Sequence, residues 1–121
     1  MIIAIPIEGK NLETNVCPSF GRTPYFLIFD TDTKESEFID NSAATSTGGA
    51  GIKAAQILVD NKAEVLLTPR LGANAADTLK AADIEIYKTT SGLAKENIDA
   101  FIAGELSILE EIHAGFHGQG R

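Results

Sequence analysis

Apolar positions in this chain come first as continuous runs and later as helical stripes. Ile2–Ile7 is an unbroken, β-branched apolar run, the pattern of a strand covered on both faces. Gly9-Lys10-Asn11 ends it with turn chemistry. Tyr25–Asp30 (Tyr-Phe-Leu-Ile-Phe-Asp) is the strongest strand signal. Thr31–Lys34 reads as a turn and Glu35–Asn41 as a weaker returning strand, so the second and third strands predict a hairpin. Residues 9–23 are polar and turn-rich, with Asn11, Asn15, Pro18 and Gly21. A loop of about 15 residues is long for a compact domain, and such loops commonly carry function.

The period then changes. Ser42–Gly51 is small and polar and ends in Thr47-Gly48-Gly49-Ala50-Gly51. Ile52, Ala55, Leu58 and Val59 fall on one helical face, with Lys53, Gln56 and Asp60 elsewhere. Glu64–Thr68 reads as a short buried strand, Pro69–Gly72 as a loop and Ala73–Ala82 as a helix. Ile84–Tyr87 predicts another strand, followed by a loop, Thr89-Thr90-Ser91-Gly92, with N-cap candidates. Ile98, Phe101 and Ile102 mark a third helix that Gly104 closes, and Leu106, Leu109 and Ile112 continue a helical stripe. Helix starts are expected near Ala50, Ala73 and Ala94. The order β-β-β-α-β-α-β-α predicts an α/β fold. An antiparallel meander joins parallel strands with crossover helices. The result is a mixed five-stranded sheet with helices on both faces, ribonuclease H-like in architecture. That likeness is topological and carries no function.

Composition narrows the function. Ten basic and seventeen acidic residues give a net charge of −7, which argues against nucleic acid or an anionic membrane as the main target. No apolar run approaches the ~20 residues of a membrane helix, and the N-terminal run has no leader features. Cys17 is the single cysteine. No intramolecular disulfide is possible, and a cytoplasmic location is the simplest expectation. One thiol cannot supply four thiolates to an iron–sulfur cluster. A cluster bound here needs other ligands, a second chain, or ligands of its own.

Several residues are candidates for chemistry. Gly48, Gly49 and Gly51 precede or open a helix, where backbone N–H groups can cradle an anion; a tight strand-to-helix crossover asks for the same residues. Cys17, beside Pro18 in the long loop, is a potential soft metal ligand or an incidental thiol. His113 and His117 are spaced i, i+4, one face of a helix, although Gly115 and Gly118 oppose a helix there. Glu8 and Asp30 at strand ends invite a two-metal nuclease reading, which the missing basic patch opposes. No arrangement for nucleophilic catalysis is readable, because both histidines lie at the C-terminal end.

Five segments together resemble a known family. They are Phe20-Gly21-Arg22-Thr23-Pro24-Tyr25-Phe26-Leu27-Ile28, Gly48-Gly49-Ala50-Gly51-Ile52-Lys53-Ala54-Ala55-Gln56, Leu71-Gly72-Ala73-Asn74-Ala75, Leu79-Lys80-Ala81-Ala82-Asp83-Ile84 and Ala100-Phe101-Ile102-Ala103-Gly104-Glu105-Leu106. The pattern is similar to the dinitrogenase iron–molybdenum cofactor biosynthesis domain (NifX, NifB C-terminal, NafY) over roughly residues 1–106. Residues 107–121 are then a C-terminal helical extension and a flexible Gly/His tail. The resemblance implies a small nitrogenase-accessory protein that binds or carries an iron–sulfur or iron–molybdenum-type cluster without being an enzyme. Its partners would be cluster donor and acceptor proteins, and its state a monomer or weak homodimer. It points to Ser19, Arg22, Gly48, Gly49, Gly51 and Asn74 as cofactor-binding, with Cys17, His113 and His117 as metal ligands. Members commonly carry a histidine immediately before Phe-Gly-Arg, whereas this chain has Ser19. Either Cys17 replaces that ligand or cluster binding is lost. Arg70 stands where many members have a small or amide residue. The competing readings are a module for a small anionic metabolite at the Gly48–Gly51 helix start and a metal-dependent hydrolase.

Overall fold

Strand β1 (Ile2–Ile7) is central because both of its faces are apolar. In the computed structural model, which describes residues 1–90 and 92–109, it pairs antiparallel with β2 (Tyr25–Asp30) and parallel with β4 (Val65–Thr68). The hairpin strand β3 (Ser36–Asp40) and the parallel strand β5 (Glu85–Lys88) complete a sheet of order β3-β2-β1-β4-β5. Three helices cover it: α1 (Ala50–Asp60), α2 (Ala73–Ala81) and α3 (Ala94–Ile102). A short 3-10 turn, Ser42–Thr45, precedes α1. The expected mixed five-stranded α/β sheet and all three helix starts are therefore observed.

The strand side chains sort the core into two faces, because alternate residues point to opposite sides. Ala4, Phe26, Ile28 and Leu66 pack with α1 and α2 through Ala54, Leu58, Ala76 and Leu79. Ile3, Ile5, Leu27, Val65 and Leu67 pack with α3 through Ala94 and Ile98. On the α3 face, buried Asn97 ties the preceding loop down. Its Oδ1 accepts from the Thr90 amide at 2.8 Å, and its Nδ2 donates to the Thr90 and Leu93 carbonyls at 3.2 and 3.0 Å.

Three details differ from the pattern reading. Ile52 was expected on the buried face of α1 but is 44% exposed; the face against the core is Ala50, Ala54, Ala55 and Leu58. β5 starts at Glu85 because Ile84 closes α2. Its N–H bonds to the Leu79 carbonyl and that of Asp83 to the Lys80 carbonyl, both at 3.0 Å, with Asp83 left-handed. Leu106 and Leu109 are not helical: after Gly104 the chain is extended and bridges β5 antiparallel at Tyr87 and Ile108. Lys88 N donates to Ser107 O at 2.8 Å and Leu109 N to Ile86 O at 3.0 Å. An open sheet edge needs backbone partners, and this segment supplies them in place of the expected helical extension. Ile112 and the Gly/His tail lie outside the described residues.

Candidate functional site

A cavity of about 500 Å³ lies beyond the carboxyl end of β4, between the first turns of α1 and α2 and the 18–22 segment of the long loop. That loop is anchored from both sides. Its 15–17 portion pairs with the end of β1 on the edge not used by β2: Val16 bridges Ile7, and Cys17 N donates to Pro6 O at 2.9 Å. Further on, Phe20 is buried with its ring 5.3 Å from that of Phe26. Thr23 Oγ1 donates to the Ile7 carbonyl at 2.8 Å. Between these anchors Gly21 lies directly on α1, close enough that a Cβ would stand 3.0 Å from Gly51 N.

The helix ends give the cavity its electrostatic character. α1 and α2 begin after Gly49 and Gly72, neither of which can cap with a side chain, and neither first turn holds an acidic residue. The N–H groups of Ala50, Gly51, Ile52, Ala73, Asn74 and Ala75 have no hydrogen-bond partner among the described residues. α3 is different. Glu96 Oε1 accepts from Leu93 N at 3.0 Å, and the Thr14 and Leu12 carbonyls accept from Ala94 N and Lys95 N at 2.9 and 3.1 Å. Two uncapped helix N-termini thus converge on one cavity, each with a partial positive charge.

Arg22 and Arg70 also line it, while among the described residues no Asp, Glu, His or Cys does. Arg22 Nη1 donates to the Ala44 and Ser46 carbonyls at 2.9 and 2.8 Å, which fixes the side chain across the turn before α1. Phe20, Ile52 and Leu71 supply apolar wall. Such a lining suits an anion with some apolar surface.

Of the sequence candidates, Ser19, Arg22, Gly49, Gly51 and Asn74 come together here. Gly48 does not line the cavity, and a Cβ there would meet nothing within 4 Å. Cys17 is one residue outside the lining. Its thiol is buried and lies 3.7 Å from the Ser19 carbonyl as a weak donor. His113 and His117 lie outside the described residues; Leu109 is reached with the chain running from Lys88 toward Ile86, away from the cavity end of β5. Pattern reading missed Gly21, Ile52, Gly72 and Ala73. The available signal was a Gly-Ala helix start occurring twice, at Gly49-Ala50 and Gly72-Ala73, with no Ser, Thr, Asp or Asn to cap either.

The nuclease pair is separated by the register. Ile7 pairs with Tyr25 and Ile2 with Asp30, so Glu8 and Asp30 lie at opposite ends of the sheet. Asp30 Oδ1 accepts from Asp32 N at 2.8 Å and caps the hairpin turn. Among the described residues no group of three His, Cys, Asp or Glu is placed to hold a metal ion.

Gly49 has φ +69° and ψ +24°, a left-handed cap, whereas Gly51 is at ordinary helical geometry and a Cβ there would touch Ala75 Cβ at 3.5 Å. Of these two glycines only Gly49 needs a positive φ. Gly49→Val is expected to cost about 1–3 kcal/mol through backbone strain. Gly49→Asn is expected to cost less than about 1 kcal/mol, since Asn tolerates this region. Thermal denaturation of the two variants ranks them; equal losses would remove φ as the reason for glycine.

Residues 1–104 match the sequence model of the dinitrogenase iron-molybdenum cofactor family. The orange protein of Desulfovibrio gigas, solved in its apo form, superposes with a TM-score of 0.86 and 36% identity over 90% of this chain and 92% of that one. A Thermotoga protein provisionally named NifB and placed in the DUF35 family superposes with a TM-score of 0.81 and 38% identity over 98% of both chains. An uncharacterized protein of Methanocaldococcus jannaschii is 28% identical over 113 residues, 91% of this chain and 92% of its own length.

Proposed function

This chain belongs to the dinitrogenase iron-molybdenum cofactor family, and from that premise we propose that it is a small non-catalytic binding or carrier protein for an anionic metallocluster of iron–sulfur or iron–molybdenum type. The observation that carries this reading is the pair of uncapped helix N-termini, with Arg22 and Arg70, around a cavity that no Asp, Glu, His or Cys among the described residues lines. Such a lining recognises charge and shape. A cluster held this way brings its own sulfide or oxo ligands, and the protein donates hydrogen bonds to them. Hydrogen bonds to a charged group contribute about 1.5–3 kcal/mol each, so a few of them give useful affinity while release breaks no metal–protein bond. That suits hand-over between a donor and an acceptor protein.

Each residue has a part in this reading. The first-turn amides after Gly49 and Gly72 face the anion, and the Gly48–Gly51 turn sets the first of these arrays. Arg22 and Arg70 supply full positive charge, and Ser19 and Asn74 supply neutral polar contacts. Cys17, His113 and His117 are the proposed set from which any direct metal ligand comes. Among the described residues no carboxylate, imidazole or thiol lines the cavity, a lining that favours binding over catalysis. The strand order, with β1–β3 antiparallel and β1, β4 and β5 parallel, supports a ribonuclease H-like designation. No helix among the described residues is long and apolar enough to cross a membrane, and we place the protein in the cytoplasm as a monomer or weak homodimer.

The test is anaerobic reconstitution with ferrous iron, sulfide and molybdate, followed by metal and sulfide analysis. Wild type, Cys17→Ala and a chain ending at Ile112 are compared. Wild type is expected to take up metal and sulfide together and to gain charge-transfer absorbance. Loss in Cys17→Ala puts a thiolate on the cluster, and loss only on truncation moves the ligand to the tail. A colourless protein that binds inorganic phosphate instead would replace this reading with the anionic-metabolite module.

A further inference from the structure

We propose that Asn41 is a positioning residue for the cavity, holding the 18–23 wall in register with the first turn of α1 through its carboxamide; the inference rests on the reading that this cavity holds the cargo. Asn41 follows β3 and is only 6% exposed. It does not line the cavity, yet both of its side-chain polar atoms are committed to the elements that do or that lead to them. Nδ2 donates to the Gly21 carbonyl at 3.1 Å and to the Thr23 carbonyl at 2.9 Å. Oδ1 accepts from Ala43 N at 3.0 Å and starts the 3-10 turn that leads to α1. Its backbone N–H donates to the Pro24 carbonyl at 3.0 Å.

One carboxamide therefore joins two chain segments about 20 residues apart. The carbonyls it holds flank Arg22, whose guanidinium crosses to Ala44 and Ser46 on the same 3-10 turn. Lys53 Nζ of α1 then donates to Ser46 Oγ at 2.7 Å. The wall, the turn and α1 thus form a closed circuit of polar contacts. Gly21 is its tightest point, resting on the backbone of Ala50 and Gly51. A displacement of the wall by a few tenths of an ångström changes where the α1 amides open into the cavity. Apolar packing anchors Phe20 but does not orient the carbonyls of Gly21 and Thr23; only a donor can.

An amide-to-acid exchange separates the two jobs. Asp at position 41 keeps the oxygen that accepts from Ala43 N, a role Asp performs well. It replaces the donor with an oxygen facing two carbonyls. Asn41→Ser also retains a cap and replaces the two amide N–H donors with a single hydroxyl on a shorter side chain, without adding a negative charge, so it serves if the acid variant does not fold. Asn97→Asp is the matched control: it is the same exchange at a buried carboxamide of α3, which packs on the other face of the sheet, and neither Asn97 nor its partners Thr90 and Leu93 line the cavity.

Metal and sulfide uptake is measured by the anaerobic reconstitution above, beside thermal stability and backbone ¹⁵N order parameters. Asn41→Asp and Asn41→Ser are expected to load about tenfold less tightly, as the loss of two neutral hydrogen bonds allows. Gly21–Thr23 are expected to fall from order parameters near 0.85 toward 0.6, the span between rigid and flexible backbone. Asn97→Asp is expected to lose stability but load as wild type does. Unchanged order parameters at Gly21–Thr23 in both Asn41 variants overturn the proposal, as does wild-type loading by them, or a loading loss in Asn97→Asp that scales with stability. If wild type takes up no metal, the functional reading fails, and the order parameters alone decide whether Asn41 positions the wall.

Discussion

Phe26→Ala is expected to lower the free energy of unfolding by about 3–5 kcal/mol, the usual cost of deleting a buried aromatic ring. Phe26 is fully buried on the α1–α2 face of β2. Its ring meets that of Phe20 at a centroid distance of 5.3 Å and an interplanar angle of 56°, a tilted geometry that adds attraction beyond area burial. The truncation opens a void in the closely packed core and also removes the surface on which the cavity wall is seated. Denaturant titration should show a lower midpoint at unchanged slope, and metal uptake should weaken in the fraction that remains folded. Phe26→Leu, closer in volume, is expected to lose less than half as much. A loss below about 1 kcal/mol in Phe26→Ala would mean that the site repacks and that Phe20 is held by something else.

Gly21→Val is expected to reduce cargo loading by at least about tenfold, a change of about 1.4 kcal/mol in binding, and to cost about 1–3 kcal/mol of stability by overpacking. A Cβ at Gly21 would stand 3.0 Å from Gly51 N, 3.2 Å from Gly51 Cα and 3.3 Å from Ala50 C. All three atoms are backbone, so no rotamer change relieves the contact. Either the wall lifts from α1 or the first turn of α1 yields, and both displace the amides that face the cavity. Gly48→Ala is the comparison for stability, since a Cβ there meets nothing within 4 Å; it is expected to unfold close to wild type. Equal loading by Gly21→Val and wild type would show that the wall and the helix do not need this contact.

These expectations depend on contacts with different visibility in the sequence. The central strands were legible because Ile2–Ile7, Tyr25–Asp30 and Val65–Thr68 are apolar on both faces, a pattern that only a doubly covered strand requires. The helix starts were legible where the chain passes from Gly or small polar residues to an Ala-rich period, at Ala50 and Ala73. Leu106 and Leu109 were misread because two apolar residues three apart fit a helix and an edge segment alike; the free edge of β5 settled the matter. Ile52 fits the α1 stripe by spacing, yet it points out beside the cavity because α2 covers only the face of Ala54, Ala55 and Leu58.

The candidate site divides the same way. Ser19, Arg22, Gly49, Gly51 and Asn74 were nameable one at a time from residue type and family pattern, and all five line one cavity. The setting of Cys17 outside that lining was not nameable, because it follows from the pairing of residues 15–17 with β1. Nor was the role of Asn41, whose amide partners lie about 20 residues earlier.

By itself the sequence determined the α/β class, the strand and helix order and the absence of a long apolar helix-length run, since each depends on local periodicity and composition. The tertiary structure alone decided that two uncapped helix starts and two arginines share a single cavity, and that no thiol or imidazole among the described residues enters it. The physical reason is that a binding site is made of distances between segments remote in the chain. Those distances are set by sheet register and by close backbone contacts such as Gly21 against Gly51, and no periodicity records them.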